Sequence, residues 1–238
     1  MIRLKNLIKE TSITDRSIVL DLSLQGKIYR SANALYRGID APNVSVGPHT
    51  VNKNRMPRDT HIMIDVLLEI YRLEKYPDMP SRRQTVFCSP SIKNAADYAG
   101  KKGGVYEIFP YKPYKIYSYI NKRDKDSIEL LQRYSLIAGY KRAGGAIGNL
   151  IDKNEAKIPD KSERMEILNI MGSLDPASGP RKLLDIFDEY FDSLEDITNS
   201  IENMEHYQFS RIGEIHVLCD EYYCLHAQDD YDQDDDDL

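Results

Sequence analysis

Short strand-like runs stand near both ends of this chain, and a long stretch of helical periodicity separates them. That distribution excludes the alternating strand–helix order of a parallel sheet and predicts an α+β fold. Residues 33–37 (NALYR), closed by Gly38, and 84–88 (QTVFC) are the early candidates. Residues 105–109 (VYEIF) and 114–119 (YKIYSY) follow, parted by Pro-Tyr-Lys-Pro. The chain ends with 215–219 (IHVLC) and 222–226 (YYCLH), and their tight Asp220-Glu221 connection reads as a terminal hairpin. Residues 41–57 carry three prolines and read as a loop.

Helical spacing is clearest after Asp59, where Ile62, Val66, Leu67, Ile70 and Leu73 form one stripe that must stop before Pro77. Residues 3–10 read as a short amphipathic helix. Ser89 or Ser91 is placed to cap another, carrying Ile92, Ala95, Ala96 and Ala99 and ended by Gly103-Gly104. Residues 125–205 read as mostly helical. Their stripes are Leu130, Leu131, Tyr134, Ile137 and Ala138; then Met165, Ile167, Leu168 and Ile170; then Leu183, Leu184, Phe187, Tyr190, Phe191 and Leu194.

With 238 residues, the chain is expected to form one domain over 1–228 with a helical insertion at about 125–205. No apolar run approaches the roughly 18 residues of a membrane helix, and the first residues show no secretory core. No membrane partner is expected. Three cysteines, an odd number, exclude a disulfide scaffold and point to reduced thiols in a cytoplasmic protein.

The net charge of −6 belongs to the tail. Residues 229–238 (DDYDQDDDDL) hold seven of the 38 acidic residues, which leaves 31 against 32 basic in the body. A self-repelling run with no apolar face is expected to be disordered. It reads either as a solvated tail or as an arm for a basic surface.

Familiar chemical motifs are missing. There is neither a phosphate loop, a dinucleotide fingerprint nor an H-E-x-x-H pair, and the glycine-rich 143–150 follows no convincing strand. Cys219, Cys224 and His226 are close in sequence but lack a C-x-x-C pair, so they read as core thiols, and no metal is expected. His49, His61, His206 and His216 have no ligand spacing.

Three segments carry more. Tyr36-Arg37-Gly38 puts an arginine at the end of an apolar strand, where a guanidinium that cannot lose its charge needs a partner. Phe87-Cys88-Ser89-Pro90-Ser91 runs a strand into a serine-rich turn, and Glu214 stands at the start of a late strand. Taken singly, these read as a salt bridge, helix caps and a solvated strand end. Arg55 and Arg58, with Arg82 and Arg83, make a second basic group that reads either as a guide for phosphates or a nucleic-acid acceptor or as solvated loop charge. Arg82 and Arg83 fit the solvated reading better, while Arg55 lies on the long loop after Arg37, which is placed to border its site.

In that order, arginine, Ser-x-Ser and glutamate, the chain resembles the ADP-ribosyltransferase family, with Pro90 replacing the threonine of the middle motif. Ala95 and Tyr98 resemble the short helix and aromatic residue that often trail it. The resemblance implies a split sheet of short strands, here with the helical insertion between the middle and last motifs. It implies NAD as co-substrate, release of nicotinamide and transfer of ADP-ribose to a protein or nucleic acid, or to water in a glycohydrolase. It implies Glu214, Arg37 and Ser89 as catalytic residues. Tyr36, Arg37, Gly38, Ser89, Ser91, Tyr98 and Arg55 would contact the cofactor. Arginine-modifying members carry Glu or Gln two residues before the catalytic glutamate, where this chain has Ile212. A non-catalytic interaction protein that keeps the fold is the rival expectation.

The chemistry suits these residue types. Breaking the nicotinamide–ribose bond develops an oxocarbenium-like cation, which a fixed carboxylate stabilises. A forked guanidinium suits a pyrophosphate, and a hydroxyl can orient the carboxylate.

Overall fold

The computed structural model describes residues 15–29, 33–41, 44–53, 62–121, 160–174, 187–188, 191–204 and 212–227. The expected helix at 3–10, Arg55, the stripe at 130–138 and the acidic tail lie outside the described residues. The elements are α1 (15–24), β1 (Tyr36–Ile39), β2 (Gly47–Thr50), α2 (Ile62–Lys75), β3 (Val86–Cys88), α3 (Ile92–Ala99), β4 (Gly104–Pro110) and β5 (Lys115–Asn121), followed by α4 (Lys161–Leu174), β6 (Phe191–Asp196), β7 (Ile212–Leu218) and β8 (Glu221–His226). This is an α+β chain with two antiparallel sheets, ordered β1-β4-β8-β2 and β3-β7-β5-β6. Among the described residues, no helix is long and apolar enough to cross a membrane.

Contacts divide the chain into two compact units. One takes the chain up to Thr50, Cys88–Tyr114 and the residues from Cys219 on; the other takes Val51–Phe87 and Lys115–Leu218. Where the sequence suggests one domain with an insertion, both units draw strands from early and late chain.

In the first unit, β1 and β8 flank β4, with Arg37 opposite Tyr106 and Tyr106 opposite His226. Side chains alternate across a strand. One face therefore presents Phe109, Tyr223 and Leu225, against which α1 packs Val19 and Leu22. Burying each large apolar side chain there contributes about 1.5–3 kcal/mol. α3 packs on the same face through Gly38, where an added Cβ would overlap the Ala95 carbonyl and lie 2.6 Å from the Ala99 nitrogen. Gly100 ends α3 rather than Gly103-Gly104, with φ 63° and ψ −176°, a conformation essentially reserved for glycine.

In the second unit, α2 is buried from Ile64 to Tyr71. Tyr71 stacks on Phe187 at 5.1 Å and donates from its hydroxyl to Asp188 at 2.7 Å. Tyr119 of β5 lies against Phe191 of β6 at 4.7 Å. The start of α4 is a capping box. Asp160 accepts from the Glu163 N–H at 2.9 Å, and Glu163 accepts from the Asp160 N–H at 3.1 Å.

Three expectations are corrected. The last two strands are no hairpin: β7 pairs with β5, while β8 pairs with β4 and β2. Asp220-Glu221 lacks the glycine or asparagine that a two-residue hairpin turn needs for positive φ. The insertion is not helical throughout, because Phe191–Asp196 is a strand. Its register on β5 shifts at Ile120/Asn121, so Phe191 and Leu194, three apart, are both buried and mimic a helical stripe. Finally, β2 lies inside the expected loop; as the edge strand it accommodates Pro48, which cannot donate to a ladder.

Candidate active site

The two earlier motifs meet in the first unit. β1 is the outer strand of its sheet, and its open edge is closed by Ser89. The Tyr36 N–H donates to the Ser89 carbonyl at 2.9 Å, and the Ser89 N–H donates to the Tyr36 carbonyl at 2.6 Å. The strand that carries Arg37 is thereby tied to the Ser-x-Ser corner. Ser89 Oγ accepts from the Ser91 N–H at 3.1 Å, and Ser91 Oγ accepts from the Asn94 N–H at 3.3 Å, capping α3. A hydroxyl that accepts one bond still has its proton to donate.

Strand alternation separates the residues of the first motif. Gly38, and with it Tyr36, belongs to the face against α3, whereas Arg37 belongs to the opposite face. Gly38 thus has a packing reason for its place. Tyr98 on α3 is 46% exposed, so its ring is not part of the core. Arg37 shares its face with Tyr222 and Cys224 of β8. Burial raises the Tyr222 hydroxyl pKa and the Arg37 guanidinium opposes it. Burial likewise pushes the Cys224 thiol up to about 11, an unreactive value. His49 of β2 lies opposite Tyr222 and stacks on its ring at 5.4 Å. Cys88, Cys219 and Cys224 are buried and form no disulfide.

Glu214 belongs to the second unit, near the start of β7. Ser118 of β5 donates to the Glu214 carbonyl at 2.9 Å and fixes the backbone. The carboxylate Oε2 lies 2.8 Å from Arg82 Nη2 and 3.3 Å from His216 Nε2. Arg82 Nη1 reaches Asp65 Oδ1 at 3.2 Å, and Arg83 Nε reaches Asp65 Oδ2 at 2.9 Å. The Arg82 guanidinium also covers the Phe87 ring at 4.8 Å. A turn away on α2, Glu69 pairs with Arg72 and accepts from Ser81 Oγ at 3.0 Å. Asp65, Glu69, Arg72, Arg82 and Arg83 are buried, while the Glu214 side chain keeps 19% of its surface exposed.

Burial alone would raise the Glu214 carboxyl, but the Arg82 guanidinium and the His216 contact outweigh it and hold the group well below the usual range. Arg82 has the mirror-image balance: burial opposes its charge, and Glu214 and Asp65 keep it. The site therefore holds an ionised carboxylate, able to stabilise adjacent positive charge or to accept a hydrogen bond from a hydroxyl.

Arg82 and Arg83 correct the expectation of solvated loop charge. Their partner Asp65 falls among the apolar positions of the α2 stripe, beside Val66, and Glu69 falls beside Ile70. Carboxylates on a buried stripe need counter-charges, and that signal was available in the sequence. His49 and Tyr222 gave none, since their contact depends on the β2–β8 register.

The chain matches no protein-family model, no curated protein and no solved structure.

Proposed function

We propose that this chain is an NAD-dependent ADP-ribosyltransferase that moves ADP-ribose to a macromolecular acceptor and releases nicotinamide. The observation that carries the reading is the backbone pairing of Tyr36 with Ser89, which ties the arginine strand to the Ser-x-Ser corner. Two segments about fifty residues apart in sequence are brought side by side.

The donor set suits such a co-substrate. Arg37 lies on the face away from α1 and α3, and no carboxylate among the described residues pairs with it. A forked guanidinium suits a pyrophosphate. The Ser89 hydroxyl, which accepts from the Ser91 N–H, keeps its own proton to donate. Glu214, held ionised, stabilises the ribosyl cation as nicotinamide leaves and holds a ribose hydroxyl. Tyr98 offers an exposed ring for stacking.

The rival reading is a non-catalytic interaction protein. It is favoured by the Arg82–Glu214 pair, which gives Glu214 a structural task without chemistry. Incubation with labelled NAD, with and without a cell lysate, separates the readings. Nicotinamide release with label on protein or nucleic acid supports the transferase, and release with label only in free ADP-ribose identifies the hydrolytic variant. No release from a folded chain overturns the enzyme reading.

A further inference from the structure

The buried charges of the second unit place a guanidinium between the candidate catalytic carboxylate and a helix. Arg82 is nine-tenths or more buried, and it spends one terminal nitrogen on Glu214 and the other on Asp65. Asp65 is held in turn by Arg83. The planar fork of an arginine makes two such bonds with fixed directions, so an α2 residue sets where the Glu214 carboxylate lies. The Phe87 ring closes one side of the guanidinium.

We infer that Arg82, anchored by Asp65, is a positioning residue that holds the Glu214 carboxylate in its working orientation. This rests on the transferase reading for its purpose, though the orientation itself is a property of the fold. Arg82 touches no reacting atom and acts through Glu214. Among the described residues, the other groups that face Glu214 are His216, at 3.3 Å, and more distantly the buried Tyr119 hydroxyl. His216 is itself braced, with Nδ1 3.4 Å from Thr85 Oγ1 and its ring edge-on to Phe87. With Arg82 removed, His216 would remain the one close ion-pair partner among the described residues, and the carboxylate would lose both its direction and most of its counter-charge.

Two measurements test this independently. In the first, the full chain is labelled with ¹³C at glutamate carboxyls, the Glu214 signal is assigned from Glu214→Gln, and the signal is followed against pH. In the wild type it should stay at its ionised position well below the ordinary glutamate midpoint of about 4.3. In Arg82→Gln the midpoint should rise to that value or above it, and Arg82→Lys should give a smaller rise. An ordinary midpoint in the wild type, or one unmoved by both substitutions, overturns the inference. Arg82→Lys carries the same decision if Arg82→Gln does not fold.

The second measurement is nicotinamide release. Arg82→Gln should lower kcat roughly a hundred-fold with little change in KM for NAD, and Arg82→Lys should restore part of it. A raised KM with unchanged kcat would make Arg82 a binding residue instead. If the wild type releases no nicotinamide, the transferase reading fails while the carboxyl titration still decides whether Arg82 governs Glu214.

Discussion

Gly38 faces the Ala95 carbonyl so closely that no side chain fits between β1 and α3. The same strand carries Arg37, and the helix is capped by Ser91. The spacing of helix and strand therefore fixes the corner at which two motifs of the candidate site meet. A methyl group here would overlap backbone on both Ala95 and Ala99, which cannot rotate away. Gly38→Ala should destabilise the fold by about 1–3 kcal/mol, as overpacking does. Urea unfolding checks it, and a midpoint equal to that of the wild type would show that α3 moves aside freely.

Ser91 separates a capping role from a chemical one. Its hydroxyl accepts from the Asn94 N–H. Ser91→Ala should cost about 1 kcal/mol, and Ser91→Asp, which retains the acceptor, should restore it. If capping is the whole role of Ser91, nicotinamide release per folded molecule should be nearly unchanged in both variants, against the cofactor contact that the family resemblance implies. A large fall in turnover with full stability would instead make Ser91 a contact of NAD.

Stability should also depend on acid through Glu214. Its carboxyl is depressed in the fold, so the unfolded chain takes up that proton first as the pH falls. The stabilisation is complete above the unfolded value of about 4.3 and is lost as the pH falls toward the folded value. Glu214→Gln should lower stability at pH 7, by less than the roughly 3–5 kcal/mol of a fully broken buried pair, because Arg82 keeps Asp65. The variant should also lose stability less steeply than the wild type below about pH 5. Urea midpoints at neutral and acid pH measure both effects, and parallel slopes in the two proteins would contradict the ion pair.

The sequence made some of this legible and hid the rest for identifiable reasons. The α2 helix was readable because Ile62, Val66, Leu67, Ile70 and Leu73 recur at helical spacing, although burial in the fold runs without a break from Ile64 to Tyr71. The Ser91 cap was readable because capping is local. Phe191 and Leu194 misled because a register shift gave a strand the spacing of a helix. The terminal pair misled because sequence adjacency suggested pairing, whereas β7 and β8 belong to different sheets. At the site, Arg37, Ser89 and Glu214 stood out through residue type and order. Arg82 did not: Asp65 on the α2 stripe signalled the need for a counter-charge, but which residue supplies it is settled over seventeen residues to Asp65 and 132 to Glu214. Partnerships over such separations are set by packing, which local pattern does not encode.

Arg37 and Glu214 should fail in different ways. Glu214→Gln keeps the shape and a hydrogen-bonding group but removes the charge. If Glu214 stabilises the ribosyl cation, nicotinamide release should fall on the order of a hundred-fold or more while NAD affinity changes little, because the ground state has no new positive charge there. Arg37 is a candidate anchor for phosphate, which is present before and during the reaction. Arg37→Ala should therefore weaken NAD binding itself. Its fold should hold, since Arg37 forms no ion pair among the described residues. Direct NAD titration and nicotinamide release on both variants decide the matter. Full turnover in Glu214→Gln would remove the catalytic assignment, and unchanged NAD affinity in Arg37→Ala would remove Arg37 from the binding site.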